Sequence, residues 1–167
     1  MLAELSTMPH PARAIGVYRR DDLPRGLRPL CLALWHVHDP GNVGTLLRTA
    51  DAFDASVALS PGCGDPTGPK ALRASMGAVF RVPTASFEDS RTPRIALVSH
   101  GGTPLPELEL GDAVTFVLGA EREGLPDDVL RGCHAVATIP QAGHADSLNV
   151  AAAGAIALYE SVRRASA

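Results

Sequence analysis

The sequence HADSLNV, residues 144–150, and the apolar residues behind it decide how the end of this chain folds. A β-branched run, Ala135–Ile139, and a polar loop, Gln141–Asp146, lead into it. Apolar side chains then recur at helical spacing: Leu148, Ala151, Ala152, Ala155, Tyr159 and Val162. We expect Asp146 or Ser147 to cap this helix, because a side-chain oxygen there can accept from the first free N–H groups. Ser147 and Asn149 would then lie at the positive end of a helix, where a ligand or a polyanion could be held.

The composition indicates one globular domain of 167 residues, with 46% hydrophobic and 20% charged residues. The formal net charge of −3 argues against a protein that coats nucleic acid, but it allows contact with RNA through a local patch. Five arginines lie among the first 29 residues: Arg13, Arg19, Arg20, Arg25 and Arg28. They either contact phosphates or belong to a solvated N-terminal arm.

The cysteines and the hydropathy pattern exclude several classes of protein. Cys31, Cys63 and Cys133 are far apart and form no CxxC pair, which is not typical of a disulfide framework or a zinc site. No pair of candidate ligands has metal-binding spacing on one element, so we expect no metal. Because no apolar run approaches a membrane span and no apolar signal region begins the chain, we expect a cytoplasmic protein without a membrane partner.

Six short runs predict strands of a buried, mainly parallel six-stranded sheet. These runs are Leu30–Val37, Ala55–Ser60, Ala78–Val82, Arg94–Ser99, Ala113–Leu118 and Ala135–Ile139. Helices are predicted after Asn42, which would cap the first, and over Pro69–Met76 and Pro126–Arg131. The alternation indicates a single-domain α/β fold over residues 30–167, with helices on both faces of the sheet and an N-terminal extension over residues 1–29.

Three predicted loops follow strands, after Val37, Leu118 and Ile139. Ligands bind outside the carboxyl ends of strands in open α/β sheets, so these loops could form one site. Their polar residues are Asn42, Arg48, Glu121, Ser147 and Asn149. Taken singly, Asn42 and Ser147 could be helix caps, and Arg48 could form a surface pair with Asp51. Gly44, one helical turn before Arg48, would let a bulky group approach that arginine.

Common catalytic motifs are absent from the sequence. It contains no GxSxG, no HExxH and no paired Cys/His pattern. Residues 62–68, GCGDPTG, superficially resemble a dinucleotide fingerprint, but the spacing is wrong and Pro66 interrupts it. This disfavours an NAD-dependent oxidoreductase, and the remaining polar residues suit polar recognition and charge stabilisation.

Three segments carry the candidate site: HDPGNVGTLLRTA at 38–50, FVLGAEREGL at 116–125 and HADSLNV at 144–150. In this order they resemble the three motifs of the SpoU (TrmH-like) RNA 2′-O-ribose methyltransferases of the SPOUT superfamily. The resemblance covers Pro29–Arg163. It implies a SPOUT fold with a C-terminal deep trefoil knot, and a homodimer whose active sites lie near the interface. It also implies S-adenosylmethionine as methyl donor and structured RNA, tRNA or rRNA rather than DNA, as substrate.

The same resemblance assigns roles to single residues. Arg48 would favour the alkoxide form of the ribose hydroxyl and grip a flanking phosphate, while Asn42 positions the ribose or the phosphate. Because arginine stays protonated in proteins, water or a phosphate oxygen would take the hydroxyl proton. Glu121, Ser147 and Asn149 would orient substrate and donor. The donor would lie on the backbone at Ser99, His100, Gly101, Leu118, Gly119, Ile139 and Leu148.

An alternative function is an RNA-binding or regulatory module that keeps the SPOUT fold without catalysis. The joint presence of the five polar site residues favours the enzyme, because a pure binder has no need of the full set. The sequence leaves the RNA substrate open. A compact chain could read tRNA directly, whereas Lys70–Pro83 resembles the corresponding stretch of rRNA-directed relatives.

Overall fold

A parallel sheet of seven strands lies at the centre of the part of the molecule that the computed structural model describes, residues 15–90 and 93–165. The strands are β1 (Leu30–Leu34), β2 (Ser56–Leu59), β3 (Thr84–Ser86), β4 (Arg94–Val98), β5 (Thr103–Pro104), β6 (Val114–Leu118) and β7 (Ala135–Thr138). Their order is β3-β2-β1-β6-β4-β7-β5, and each neighbouring pair is parallel. The connections diverge at the β1–β6 pair, which is where such sheets open a crevice for ligands.

Two details of the six-strand prediction are wrong. Ala78–Val82, expected as the third strand, instead contains a 3-10 turn at Ala78–Phe80. It follows Met76 and Gly77, whose left-handed backbone (φ 49° and 84°) turns the chain before the apolar run begins. A short apolar run does not by itself distinguish a strand from a helical turn. The strand at this edge is β3, and the additional β5 is too short to give a periodic signal.

Four α-helices occur among the described residues: α1 (Pro40–Ala52), α2 (Pro69–Ser75), α3 (Asp127–Arg131) and α4 (Val150–Ala165). The caps of α1 and α4 differ from the prediction. Asp39, and not Asn42, caps α1 by accepting from the N–H groups of Gly41 and Asn42. At α4 the cap is Asn149, whose Oδ1 accepts from the N–H groups of Ala151 (2.9 Å) and Ala152 (3.4 Å). Helix capping therefore does not account for Asn42 or for Ser147.

The sheet separates two apolar layers because successive strand residues point to opposite faces. On one face, Leu32 and Phe116 pack with α1, α2 and α4 in the larger core. On the other face, Cys31 and Val117 pack against α3 and the indole of Trp35. Helices therefore cover both faces, as predicted, and α3 lies on the face opposite α1 and α2.

α1 and α2 pack tightly at Gly44. A Cβ on Gly44 would collide with the backbone of Ala71 and lie 2.7 Å from the Cβ of Ala74. α2 therefore fills the space beside Gly44. The prediction that this glycine lets a bulky ligand approach Arg48 is wrong.

Ion pairs join the two ends of this helix pair. Lys70 at the start of α2 donates to Asp39 at the start of α1, with Nζ 2.8 Å from Oδ2. Beyond the end of α2, Arg81 pairs with Asp51 near the end of α1 at 2.6 Å. The two helices thus run side by side as one unit.

The described part of the N-terminal extension, residues 15–29, lies along the edge of the sheet. The N–H of Gly26 donates to the carbonyl of Thr84, and the N–H of Thr84 donates to the carbonyl of Pro24. Arg13 lies outside the described residues. No helix within 15–90 and 93–165 has the length and apolar character needed to cross a membrane.

Candidate active site

A cavity of about 500 Å³ opens at the carboxyl ends of β4, β6 and β7. The loops after these strands form its walls, and α4 contributes Val150 and Ala153. Apolar side chains line one part of it: Leu97, Leu118, Leu125, Ile139 and Leu148. Polar and charged residues line the rest: Ser99, His100, Glu121, Arg122, Glu123, Gln141, Asp146 and Ser147. This size and mixture are typical of sites for small molecules.

The cavity collects most of the residues that were expected to hold a methyl donor. Ser99, His100, Leu118, Gly119, Ile139 and Leu148 all line it. Gly101 is not among the lining residues; it lies in the exposed loop after β4 with φ 78°. The structure therefore brings three separate loops to one cavity, and its lining includes every predicted donor residue except Gly101.

Gly119 keeps the loop after β6 tight. The loop closes on itself, since the N–H of Gly124 donates to the carbonyl of Ala120 at 3.0 Å. A Cβ on Gly119 would run into the backbone of Gly124 and lie 2.8 Å from the amide nitrogen of Leu125. Only glycine fits here, so the shape of this cavity wall depends on the residue.

Three of the predicted polar residues form a chain of hydrogen bonds. The Asn42 amide nitrogen donates to Glu121 Oε1 at 2.6 Å. The Asn149 amide nitrogen donates to Asn42 Oδ1 at 3.2 Å, while Asn149 Oδ1 caps α4. The chain joins the loop after β6 to the start of α1 and the start of α4. Each amide orientation is thereby fixed by its neighbours.

Ser147 and Arg48 occupy different places relative to this chain. Ser147 is exposed and lines the cavity. Arg48 is exposed on α1, six residues after Asn42, and belongs neither to the cavity lining nor to the hydrogen-bond chain. The surface pair considered for Arg48 is wrong, because Asp51 pairs with Arg81. Within the described residues the Arg48 guanidinium has no hydrogen bond or ion pair, so its charge is available to a ligand.

Negative charge dominates the cavity. Glu121, Glu123 and Asp146 line it, against the single guanidinium of Arg122. All four residues are exposed to solvent. A ligand with net positive charge is favoured there by simple Coulomb attraction.

The carboxylate of Asp39, at the start of α1, is stabilised in its ionised form. The ammonium of Lys70, followed by the N–H of Gly41, lowers the pKa of Asp39 below its ordinary value. Asp39 therefore remains ionised at neutral pH, and its negative charge interacts favourably with the positive end of the α1 dipole. This fixes the backbone from which Asn42 reaches Glu121.

Arg122, Glu123 and Gln141 also line the cavity, although they were not predicted as site residues. Arg122 and Glu123 directly follow Glu121 inside the second motif, which was the available signal. For Gln141 the signal was its place in the polar loop that follows Ile139. Over residues 15–90 and 93–165, no group of three or more His, Cys, Asp or Glu side chains is placed to hold a metal ion.

Comparison with known proteins gives a consistent result. The model of the SpoU rRNA Methylase family matches residues 29–159. A 23S rRNA (guanosine-2′-O-)-methyltransferase, RlmB, of Burkholderia sp. is 33% identical over 150 residues, which cover 82% of this chain and 60% of that protein. The chain spans between 52% and 65% of the length of the first curated relatives that it matches.

Two solved structures share the fold. An AdoMet-bound rRNA methyltransferase from Sinorhizobium meliloti superposes with a TM-score of 0.76 at 35% identity, covering 86% of this chain and 59% of that one. A structure that concerns 2-OH methylation of C/U34 on tRNA gives a TM-score of 0.74 at 29% identity, covering 83% of this chain and 99% of that one.

Proposed function

Because the chain belongs to the SpoU rRNA Methylase family, we propose that it transfers a methyl group from S-adenosylmethionine to a ribose 2′-hydroxyl of a structured RNA, tRNA or rRNA. The observation that carries this proposal is the hydrogen-bond chain Glu121–Asn42–Asn149 beside the cavity. These side chains come from three distant segments and meet at the carboxyl edge of the sheet. The relative from Burkholderia sp. is named for 2′-O-methylation, and the structure from S. meliloti has AdoMet bound.

The cavity fits S-adenosylmethionine in charge and in size. The donor carries a sulfonium and an ammonium group against one carboxylate, and the lining offers Glu121, Glu123 and Asp146 against one arginine. Leu118, Ile139 and Leu148 provide apolar contact for an adenine ring, and the backbone of the three loops provides hydrogen bonds. When bound, the donor supplies an electrophilic methyl group. Gly101 stays in this proposal only as part of the loop that carries Ser99 and His100.

On the RNA side, Arg48 supplies the charge that the acceptor oxygen needs. A ribose hydroxyl is a poor nucleophile, and a guanidinium beside it favours the alkoxide and binds the flanking phosphate. The guanidinium of Arg48 is exposed and unpaired among the described residues, so it can turn toward RNA that lies over α1. Because arginine remains protonated, a phosphate oxygen or water takes the hydroxyl proton. Asn42 holds the ribose or phosphate, and Ser147 and Asn149 orient donor and acceptor.

The family also supplies the finer parts of the proposal. We assign residues 30–167 to the methyltransferase domain and residues 1–29 to an extension, and we infer the C-terminal trefoil knot and a homodimer. An exposed stripe on α4 supports the dimer: Ala152, Ile156 and Tyr159 follow helical spacing on one side of the helix. Free cysteines at Cys31, Cys63 and Cys133 suit a reducing cytoplasm. Sedimentation at working concentration tests the dimer, and a monomer would contradict it.

Calorimetric titration of the full chain with S-adenosylmethionine, and separately with NAD, tests the donor site. Saturable binding of the methyl donor alone is expected. Gly119→Ala should weaken it by at least about tenfold, because the added Cβ displaces the backbone of Gly124. Gly143→Ala is the matched control: it lies in a loop of the same site, nothing lies within 4 Å of its added Cβ, and its affinity should stay unchanged.

The reaction itself is tested with labelled donor on tRNA and rRNA transcripts. Ribose methylation is recognised because a 2′-O-methylated nucleotide has no free 2′-hydroxyl to attack the adjacent phosphate, so the bond on its 3′ side resists alkaline cleavage. Label in an alkali-resistant dinucleotide supports the proposed reaction. Donor binding without transfer to either RNA would favour the binding module, and label released on a methylated base would contradict the 2′-O assignment.

A further inference from the structure

Most arginines of the described chain are engaged by a protein group, and four are not. The guanidinium groups of Arg48, Arg73, Arg122 and Arg131 make no hydrogen bond or ion pair within residues 15–90 and 93–165. All four side chains are exposed. Arg122 belongs to the cavity and Arg131 to α3 on the opposite face of the sheet. Arg48 and Arg73 lie on the neighbouring helices α1 and α2.

The arginines of the N-terminal extension behave differently. Arg19 pairs with Asp22 and Arg20 with Asp65, each at 3.0 Å. Arg25 pairs with Asp21, and Arg28 with Asp54. Each positive charge is offset by a nearby carboxylate. The described part of this extension therefore presents little net charge to a polyanion, although it contains more arginines than the α1–α2 pair.

Helix geometry places Arg48 and Arg73 on one continuous surface. Gly44 touches α2, and Arg48 follows one turn later on nearly the same side of α1, at the margin between the helices. On α2, Ala71 and Ser75 are buried and Ala74 faces Gly44, so the exposed Arg73 lies on the outer side. We call the exposed side of α1 and α2 the α1–α2 face.

The two free arginines give this face its charge. Lys70 also lies on it, and Arg81 borders it beyond the end of α2, but Asp39 and Asp51 neutralise these two charges. The surplus over the face is therefore the charge of Arg48 and Arg73, in a protein whose formal net charge is −3. A local positive surplus beside a site for RNA is the arrangement that attracts a phosphate backbone.

We propose that the α1–α2 face binds the phosphodiester backbone of the RNA substrate, with Arg73 as a phosphate contact outside the catalytic site. The inference rests on the proposed function and extends it. RNA held at Arg48 has α2 directly beside it, because α1 and α2 are packed together at Gly44 and tied at both ends. Arg73 then binds a phosphate away from the reacting ribose. It contributes to affinity in the same way for any base sequence.

Fluorescence anisotropy of the full chain with labelled tRNA and rRNA transcripts, at several salt concentrations, tests the proposal. Arg73→Ala should weaken RNA binding about five- to tenfold at low salt and reduce the slope of log affinity against log salt by about 1. Arg73→Glu should weaken it further. Because the Arg73 guanidinium has no partner among the described residues, both variants should melt at the wild-type temperature.

Two control variants change the net charge by the same amount as Arg73→Ala. Arg25→Ala removes a paired arginine from the extension, and Arg131→Ala removes a free arginine from the opposite face. Both should bind RNA within about twofold of wild type. In the methylation assay, Arg73→Ala should raise KM for RNA and leave kcat and donor affinity unchanged.

The outcomes separate this inference from the proposed function. Equal RNA affinity of wild type and Arg73→Ala overturns the role of the α1–α2 face, and so does an equal loss in Arg25→Ala or Arg131→Ala. A wild-type chain that binds neither transcript also overturns it, and points to an acidic protein as the partner of this face. A wild-type chain that binds RNA through Arg73 but does not methylate it supports the face and contradicts the enzyme.

Discussion

The N-terminal extension and the α1–α2 face are both rich in arginine, but they use it in opposite ways. In the extension, Arg20 and Arg25 lie within 3.4 Å of carboxylates. On the α1–α2 face, Arg48 and Arg73 have no such partner among the described residues. Pairing with carboxylates, and not the number of arginines, therefore decides which of the two surfaces is positive. Arg20 and Arg28 pair with carboxylates beyond the extension, Asp65 and Asp54, and so tie it to the domain. The charges of Arg48 and Arg73 stay unpaired within residues 15–90 and 93–165.

The largest effect is expected from removing Arg48, the free charge that the proposed mechanism places at the acceptor oxygen. Arg48→Ala should lower methyl transfer by about 100-fold or more, because stabilisation of the acceptor oxygen is lost. The thermal midpoint should not change, since Arg48 makes no bond within the described structure. Donor affinity, measured by calorimetry, should stay near that of wild type. Full activity in this variant would remove Arg48 from the proposed mechanism.

A paired arginine should show the reverse pattern. Arg28 donates to the carbonyls of Ala55 (3.1 Å) and Arg81 (3.3 Å) and pairs with Asp54. Arg28→Ala should lower the free energy of unfolding by about 2 kcal/mol, because these carbonyls lose a charged donor. RNA affinity should stay unchanged.

Urea unfolding measures the stability effect of Arg28→Ala. Arg19→Ala is the matched control, since Arg19 has a partner, Asp22, but is 84% exposed. Arg19→Ala should lower the free energy of unfolding by less than about 0.5 kcal/mol. If Arg28→Ala instead weakens RNA binding and leaves stability intact, this contradicts the proposal that paired arginines stabilise the fold and free arginines bind RNA.

The smallest effect concerns a carboxylate held by two arginines on α4. Arg163 and Arg164, 2.9 Å and 2.7 Å from Glu160 Oε1, lower the pKa of Glu160 from 4.5 to about 2. A carboxylate with a lowered folded pKa stabilises the fold above its unfolded pKa, and this contribution is lost as the pH falls from 4.5 toward 2. Allowing for solvent around Arg163, the contribution is about 1–2 kcal/mol.

Urea unfolding of wild type and of Glu160→Gln, at pH 6 and at pH 3, measures the contribution of Glu160 to the free energy of unfolding. The wild type should be the more stable protein by about 1–2 kcal/mol near pH 6. The difference should shrink near pH 3, because Glu160 then takes up a proton in the unfolded chain, where its pKa is near 4.5, while it stays largely ionised in the folded protein. A constant difference at both pH values would show that Glu160 titrates normally in the folded protein.

Patterns with a strong local cause were predictable. Apolar runs located β1, β2, β4, β6 and β7 to within a few residues, because a strand buried on both faces must be continuously apolar. The order of these strands, each followed by a polar loop, also predicted that the loops meet at one edge. The loops after β4, β6 and β7 line one cavity. The loop after β1, predicted to belong to the same site, does not line it; Asn42 at the start of α1 reaches the loop after β6 through Glu121.

Features that depend on distant contacts were missed. The sequence offered Asn42, Asp146 and Ser147 as caps, since each has a suitable oxygen near the right helix start. The helices are capped by Asp39 and Asn149 instead. Which residue caps a helix depends on where the helix begins, and the packing of α1 and α4 on the sheet sets these starting points. Asn42 is thereby left to join Glu121 and Asn149.

The α/β class, most strands and the family follow from the sequence, because hydrophobic period and motif order are local properties of the chain. Which charges are free depends on how the helices and turns pack. Asp51 could have paired with Arg48, three residues before it, but α2 and the turn after it bring Arg81 closer. Ion pairs form between side chains that packing places within about 4 Å, and that distance is set by the fold.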